Sequence, residues 1–271
     1  MATKKPGTQV ILWEQEMKAA AVKQAAGEKV FEGFKRVNIQ SGFLMIDGEP
    51  VTGNALDVVV LASTPLNEYY STAYNPAKPS VPDCYAYGDP TAEDPEEGMA
   101  PSDDVEDKQA ETCAECPKNV MGSADTGRGK ACKNVRRLLL ITEDGIESAD
   151  SLKEAEERSL GIPVTSVRNW AKYVKEVLGD ELQRPYYGVV TTISIKPDPK
   201  TQFKVNFAFK ELVNFDQALW ETMRAKHTAA VKAIVAPFPK QSDLDAQQAV
   251  APPKGRGRPA PVVAKKTTKK Y

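Results

Sequence analysis

Cys84-Tyr-Ala-Tyr87 and, beyond an acidic run, Cys113-Ala-Glu-Cys116-Pro-Lys-Asn-Val-Met-Gly-Ser-Ala-Asp-Thr-Gly-Arg128-Gly-Lys130-Ala-Cys132 hold all four cysteines of the chain in one stretch. Two of them form a CxxC pair, whose turn presents both sulfurs to one ion, and four thiolates complete a tetrahedral shell of structural-zinc composition. A long stretch with little apolar content predicts no core of its own, so a bound ion is expected to order it. Structural zinc on Cys84, Cys113, Cys116 and Cys132 is the expectation, with two disulfides or an iron–sulfur cluster as alternatives. The chain opens with Met1-Ala-Thr-Lys-Lys-Pro-Gly and a charged amphipathic segment rather than a secretory leader. That predicts a reducing, cytoplasmic setting, which favours thiols over disulfides.

On the N-terminal side of this stretch the hydrophobic period is two. Val37, Ile39, Ser41 and Phe43 alternate with polar residues, Gly42 marks a bulge or sharp bend, and Asp47-Gly48 is a turn signal. Leu56 to Leu61 is a second, β-branched strand that could continue toward Tyr70, and the two predict an opening hairpin. On the C-terminal side Arg136-Arg137-Leu138-Leu139-Leu140-Ile141-Thr142 reads as a third strand, so the cysteine stretch is an insertion between strands. Ser151 to Glu154 has the form of a capping box, and Thr165 to Gly179 is an amphipathic helix with Val167, Trp170, Val174 and Val177 on one face. Val189 to Ile195 and Phe203 to Phe209 alternate around Pro197-Asp-Pro-Lys200 and predict a hairpin.

Strand, strand, insertion, strand, helix, strand, strand is the order of an OB-fold. The expected class is α+β, mainly β: a five-stranded OB-like barrel with a four-cysteine zinc-loop insertion, flanking helices and a disordered basic C-terminal tail. The alternative is a mixed α+β sheet with a zinc-bound flap. Three parts are expected: an N-terminal helical segment over residues 1–30, a domain over 31–235 with its insertion at 75–135, and a tail over 236–271. A last helix over Phe215 to Val235 carries the only histidine, His227, on its apolar stripe, where it is expected to be a packing residue.

The net charge of -1 conceals a segregation. The run from Asp89 to Glu111 is almost wholly acidic, with Lys108 its single cation, and is expected to be solvated and mobile. From Ala251 onward the charges are all basic. No apolar run reaches the length of a membrane span, so no membrane partner is expected.

With the strand order, the four-cysteine insertion, Tyr69, Tyr70 and Tyr74 near Lys78, and the basic Gly127-Arg-Gly-Lys130, the stretch 31–212 resembles bacteriophage single-stranded DNA-binding proteins of the helix-destabilising kind, in which a zinc module is built into an OB-fold. The resemblance implies cooperative coating of single strands in replication, recombination or repair, with zinc as a structural ion and replication proteins as partners. The chain differs from that family in its all-cysteine ligand set and its basic tail. Pro253-Lys-Gly-Arg256-Gly-Arg258-Pro259 resembles an AT-hook, a segment suited to the narrow minor groove of AT-rich duplex. A DNA-architectural or transcription-associated zinc protein acting on duplex is therefore the alternative function.

Single-strand binding requires aromatic platforms beside a cationic groove. The candidates are Tyr69, Tyr70, Tyr74, Lys78, Tyr85, Tyr87, Arg128, Lys130, Lys133 and Arg136, with Arg137 and Lys118 near them and Arg256 and Arg258 in the tail. An enzyme is not expected, because no Walker loop, GxSxG or HExxH occurs and no histidine lies near the cysteines in sequence. The N-terminal helix is expected to dock on the core or to mediate self-association.

Overall fold

The computed structural model describes residues 35–73 and 80–242. The expected N-terminal helix, Tyr74, Lys78 and the hook arginines Arg256 and Arg258 lie outside the described residues.

The architecture is mixed α+β, dominated by one curled, open sheet of half-barrel form. The strands are β1 (Lys35–Gln40), β2 (Phe43–Ile46), β3 (Glu49–Pro50), β4 (Ala55–Tyr69), β5 (Cys84–Tyr87), β6 (Lys133–Thr142), β7 (Arg158–Ile162), β8 (Val189–Asp198) and β9 (Gln202–Leu212). Their order is β3-β2-β1-β7-β6-β4-β8-β9, with β5 pairing β4. In place of the expected five strands, the described residues form nine, and the sheet has two open ends among them. The opening hairpin is β1 with β2, not with the Leu56 strand; Ser41 and Gly42, both at positive φ, make its turn. β7, absent from the sequence reading, pairs parallel with β1 and antiparallel with β6.

The axis of the sheet is β4. It pairs with β6 along most of its length, with β8 at its start and with β5 at its end. Pro65 stands between the β8 and β5 stretches, where a missing N–H breaks no ladder; its carbonyl accepts from Gly88 N–H at 2.9 Å. Just before it a bulge at Leu61 leaves a carbonyl that His227 Nδ1 meets at 2.7 Å. The only histidine therefore satisfies backbone, in keeping with the packing role expected of it.

Val58 to Ala62 are buried on both faces, because two layers of helix sandwich this part of the sheet. Inside the curl, α2 (Val164–Lys172), continuing as a wider helix over Tyr173–Leu182, sets Trp170, Tyr173 and Leu178 among Leu44, Val58, Val60, Leu138, Leu140 and Ile193. Trp170 Nε1 donates to Ser63 Oγ at 3.1 Å, so its one polar atom is not left bare. Asn54 closes the curl, accepting from Leu44 N–H at 2.8 Å and donating to the Gly42 carbonyl at 2.8 Å. On the outer face, α1 (Ala149–Glu154) and α3 (Gln217–Ala233) bury Leu152, Leu219, Met223 and Ala230 against Val59, Leu61, Leu139 and Ile141. Each such buried side chain contributes about 1.5 to 3 kcal/mol. These helices stop short of the far ends of β4 and β6, where the outer face is open among the described residues.

Two further expectations are corrected. The acidic run packs on β5 in tight turns: Met99 and Val105 are buried, Ser102 N–H donates to the Tyr85 carbonyl at 2.9 Å, and a side chain at Gly88 would collide with the Pro95 carbonyl. The boundary at residue 236 also moves, since Phe238 packs against Tyr85 and Tyr87 and Gln241 accepts from Val81 N–H at 3.1 Å.

Candidate nucleic-acid interface and cysteine module

The four cysteines are free thiols, and all four line one small cavity of about 20 Å³, room for a single water-sized species. Cys84 sits on β5 opposite Tyr69, and Cys132 directly precedes β6. Cys113 and Cys116 begin a knuckle: Asn119 N–H donates to the Cys116 carbonyl at 2.9 Å and Asn119 Nδ2 to the Cys113 carbonyl at 2.8 Å. Asn119 Oδ1 in turn accepts from Lys130 Nζ and from Asn134 Nδ2, each at 3.0 Å. Asn134 also donates to Asn67 Oδ1, which turns the amide nitrogen of Asn67 to the Cys113 thiol. The Gln109 backbone amide likewise serves Cys84.

Burial pushes the Cys84 and Cys113 thiols up, and burial among the other three sulfurs pushes Cys132 up to about 12. An all-sulfur set with N–H donors aimed at two of the sulfurs suits a thiolate-seeking cation in composition and place. Among the described residues, however, no three His, Cys, Asp or Glu side chains are drawn in closely enough to hold an ion as they stand.

Beside this module, the open part of the outer face forms a trough. Sheet register builds it: Arg36 of β1 lies opposite Ser159 of β7, Gly161 opposite Arg137 of β6, and Val135 and Lys133 opposite Leu66 and Glu68 of β4. One part, about 490 Å³, is a hollow over these strands with Tyr70 and Phe238 at its sides. The other, about 940 Å³, continues from Arg36 and Lys133 between Tyr69 and Tyr70 and the loop bearing Lys118 and Arg128. Five cations line the two parts, Arg36, Lys118, Arg128, Lys133 and Arg137, against Glu68 and Asp125. Lys118 Nζ stands 5.1 Å from the Tyr69 ring centroid, a cation–π contact. Arg137 donates to Tyr87 Oη at 2.6 Å and lies over the rings of Tyr87 and Phe238. Arg36, Lys118, Arg128 and Lys133 have no carboxylate within 4.0 Å among the described residues, so their charge faces the trough.

Near the middle of the trough, burial raises the Glu68 carboxyl above the usual carboxylate range, opposed by Tyr70, Arg36 and Arg137. Burial and the Glu68 charge raise the Tyr70 hydroxyl as well.

Of the candidates read from sequence, Tyr69, Tyr70, Arg128 and Lys133 line one hollow together. Ala73 and Ser80, which flank the segment holding Tyr74 and Lys78, also line the trough. The remaining candidates fall elsewhere. Tyr85 is 5% exposed, donates to Asp104 and packs edge-on against Phe238, which leaves no face for a base. Tyr87 is covered by Phe238 and donates to the Ala236 carbonyl at 3.0 Å. Lys130 is turned inward to Asn119. Arg136, one residue out of phase with Arg137, faces the acidic run and meets Glu96 at 3.5 Å. Arg36 and Glu68, not singled out from sequence, enter because β1 and β4 are brought to one face by strands far from them in the chain; register across β7 and β6 is the signal that finds them.

Neither a family model, nor a curated protein, nor a solved structure matches this chain.

Proposed function

We propose that the protein binds single-stranded DNA along the outer-face trough, in replication, recombination or repair, and is not an enzyme. The trough carries the proposal. It is a sheet surface that the described helices leave uncovered, lined by Arg36, Lys118, Arg128 and Lys133, which have no carboxylate partner among the described residues, and walled by Tyr69 and Tyr70. Phosphates would take the charge of Arg36, Lys118, Arg128 and Lys133, while bases find apolar and aromatic surface between them. The curled sheet is thereby put to the use an OB-fold makes of its open face. Cys84, Cys113, Cys116 and Cys132 would hold one zinc ion, which supplies a cross-link from β5 to the knuckle and the start of β6, and so fixes the wall that bears Lys118 and Arg128.

The test is to fill the trough without disturbing the sheet. Gly161 lies on its floor, and a Cβ there meets nothing within 4 Å. Gly161→Phe should leave thermal unfolding close to wild type and weaken oligothymidine binding by at least about tenfold, equivalent to one stacked base. Unchanged binding by a folded Gly161→Phe protein would refute the proposal.

A further inference from the structure

Glu68 is out of place in a site for a polyanion. Its side chain is half-buried, yet among the described residues no Lys or Arg nitrogen comes within 4.0 Å, and its one hydrogen bond is from the Tyr70 hydroxyl at 3.5 Å. Arg36, Arg137 and Lys133 all line the same hollow and none closes on it; Lys133 Nζ goes instead to the Lys130 carbonyl at 3.4 Å. A half-buried carboxylate held apart from its neighbouring cations keeps both oxygens available to the donors of a ligand.

The hollow suits such a ligand. Its volume of about 490 Å³ lies in the range of small-ligand sites. Leu66, Val135, Ile162 and Phe238 give it apolar walls. Gly161, on its floor opposite Arg137, withholds a side chain where any other residue would fill the space. Cations lie around it at positions where a backbone entering and leaving the hollow needs them.

We infer that this hollow seats one unstacked base of the bound strand and that Glu68 reads its edge, with preference for guanine. A carboxylate only accepts hydrogen bonds, and guanine alone presents two adjacent donors, N1–H and the exocyclic amine, in line for its two oxygens. Adenine and cytosine each set an amine beside a ring-nitrogen acceptor, which faces the carboxylate with a lone pair. Thymine sets its single N–H between two carbonyls and is the worst match. The inference rests on the single-strand reading above and adds to it a base preference.

The experiment is competition at pH 8 against a labelled 13-nucleotide oligothymidine, using the full chain. The competitors are unlabelled 13-mers with one central guanine, adenine, cytosine or thymine. The guanine competitor should bind at least about fivefold more tightly than the all-thymine one, the low end for a bidentate contact. Glu68→Gln, whose amide sets one donor beside one acceptor, should lose the guanine preference in favour of adenine or cytosine, the bases that present the complementary pair. Glu68→Asp, which draws the carboxylate back by one methylene, serves as the second variant and should also lose the preference. Equal ranking by the wild type, or a guanine preference that survives in both folded variants, overturns the inference while leaving single-strand binding standing. Failure of every 13-mer to bind overturns both.

Discussion

Replacing Arg36, Arg128 and Lys133 together by glutamine removes three of the five trough cations, all of them side chains without a carboxylate partner among the described residues. Each phosphate of a single strand that the protein no longer neutralises should reduce the slope of log affinity against log salt by about 0.7, so the triple variant should lose about 2 units of slope. Between about 50 and 200 mM salt, the affinity of the wild type should therefore fall about twentyfold further than that of the variant. Fluorescence anisotropy of a labelled oligothymidine at four or five salt concentrations reads both slopes. The matched control is Lys196, Lys200 and Lys232 changed to glutamine, which removes the same charge away from the trough. If the two triple variants change the slope equally, only the total charge matters and the argument from the trough is refuted.

Metal analysis of the purified protein should find about one zinc per chain. Cys116→Ser should release it and open the stretch 89–132 to protease while the sheet survives; a metal-free protein with the same protease resistance as wild type would count against the zinc. Phe238→Ala removes a half-buried ring packed against Tyr85 and Tyr87 and should cost about 2 kcal/mol, seen as a fall of several degrees in Tm. Asp198, in the β8–β9 turn, is bonded to Lys204, Thr201 and Lys200, and these bonds hold its carboxyl below the usual range. A depressed pKa gives stability that is present above the unfolded value near 4 and is lost as the pH falls below it. The stability gap between wild type and Asp198→Ala should accordingly be constant from about pH 5 to 8 and narrow below about pH 4 in chemical denaturation.

What could be read from sequence was what has a period. The β8–β9 hairpin alternates because one face lies against α2, and the run at Val58 to Ala62 is continuous because both faces are covered. The last helix was legible from its stripe, and the four cysteines were legible as one module. β7 left no signal because its outward residues, Ser159 and Gly161, line the trough rather than alternate strongly with Leu160 and Ile162. Composition made the acidic run look loose, whereas its order comes from backbone hydrogen bonds in turns and from two buried residues, Met99 and Val105. Phe238 was hidden among prolines because one anchoring ring has no pattern. The site was half legible for the same reason. Tyr69 and Tyr70 are neighbours in the chain, but Arg36, Glu68 and Arg137 meet only through the pairing of four strands.

The central claim is where a single strand lies, and photochemical cross-linking tests it most directly. Oligothymidine carrying 5-iodouracil, irradiated on the full chain and followed by peptide mass spectrometry, should attach to Tyr69 or Tyr70 and leave Tyr85 and Tyr87 unmodified. Attachment at Tyr85 or Tyr87, or only at residues outside the trough, would contradict the account.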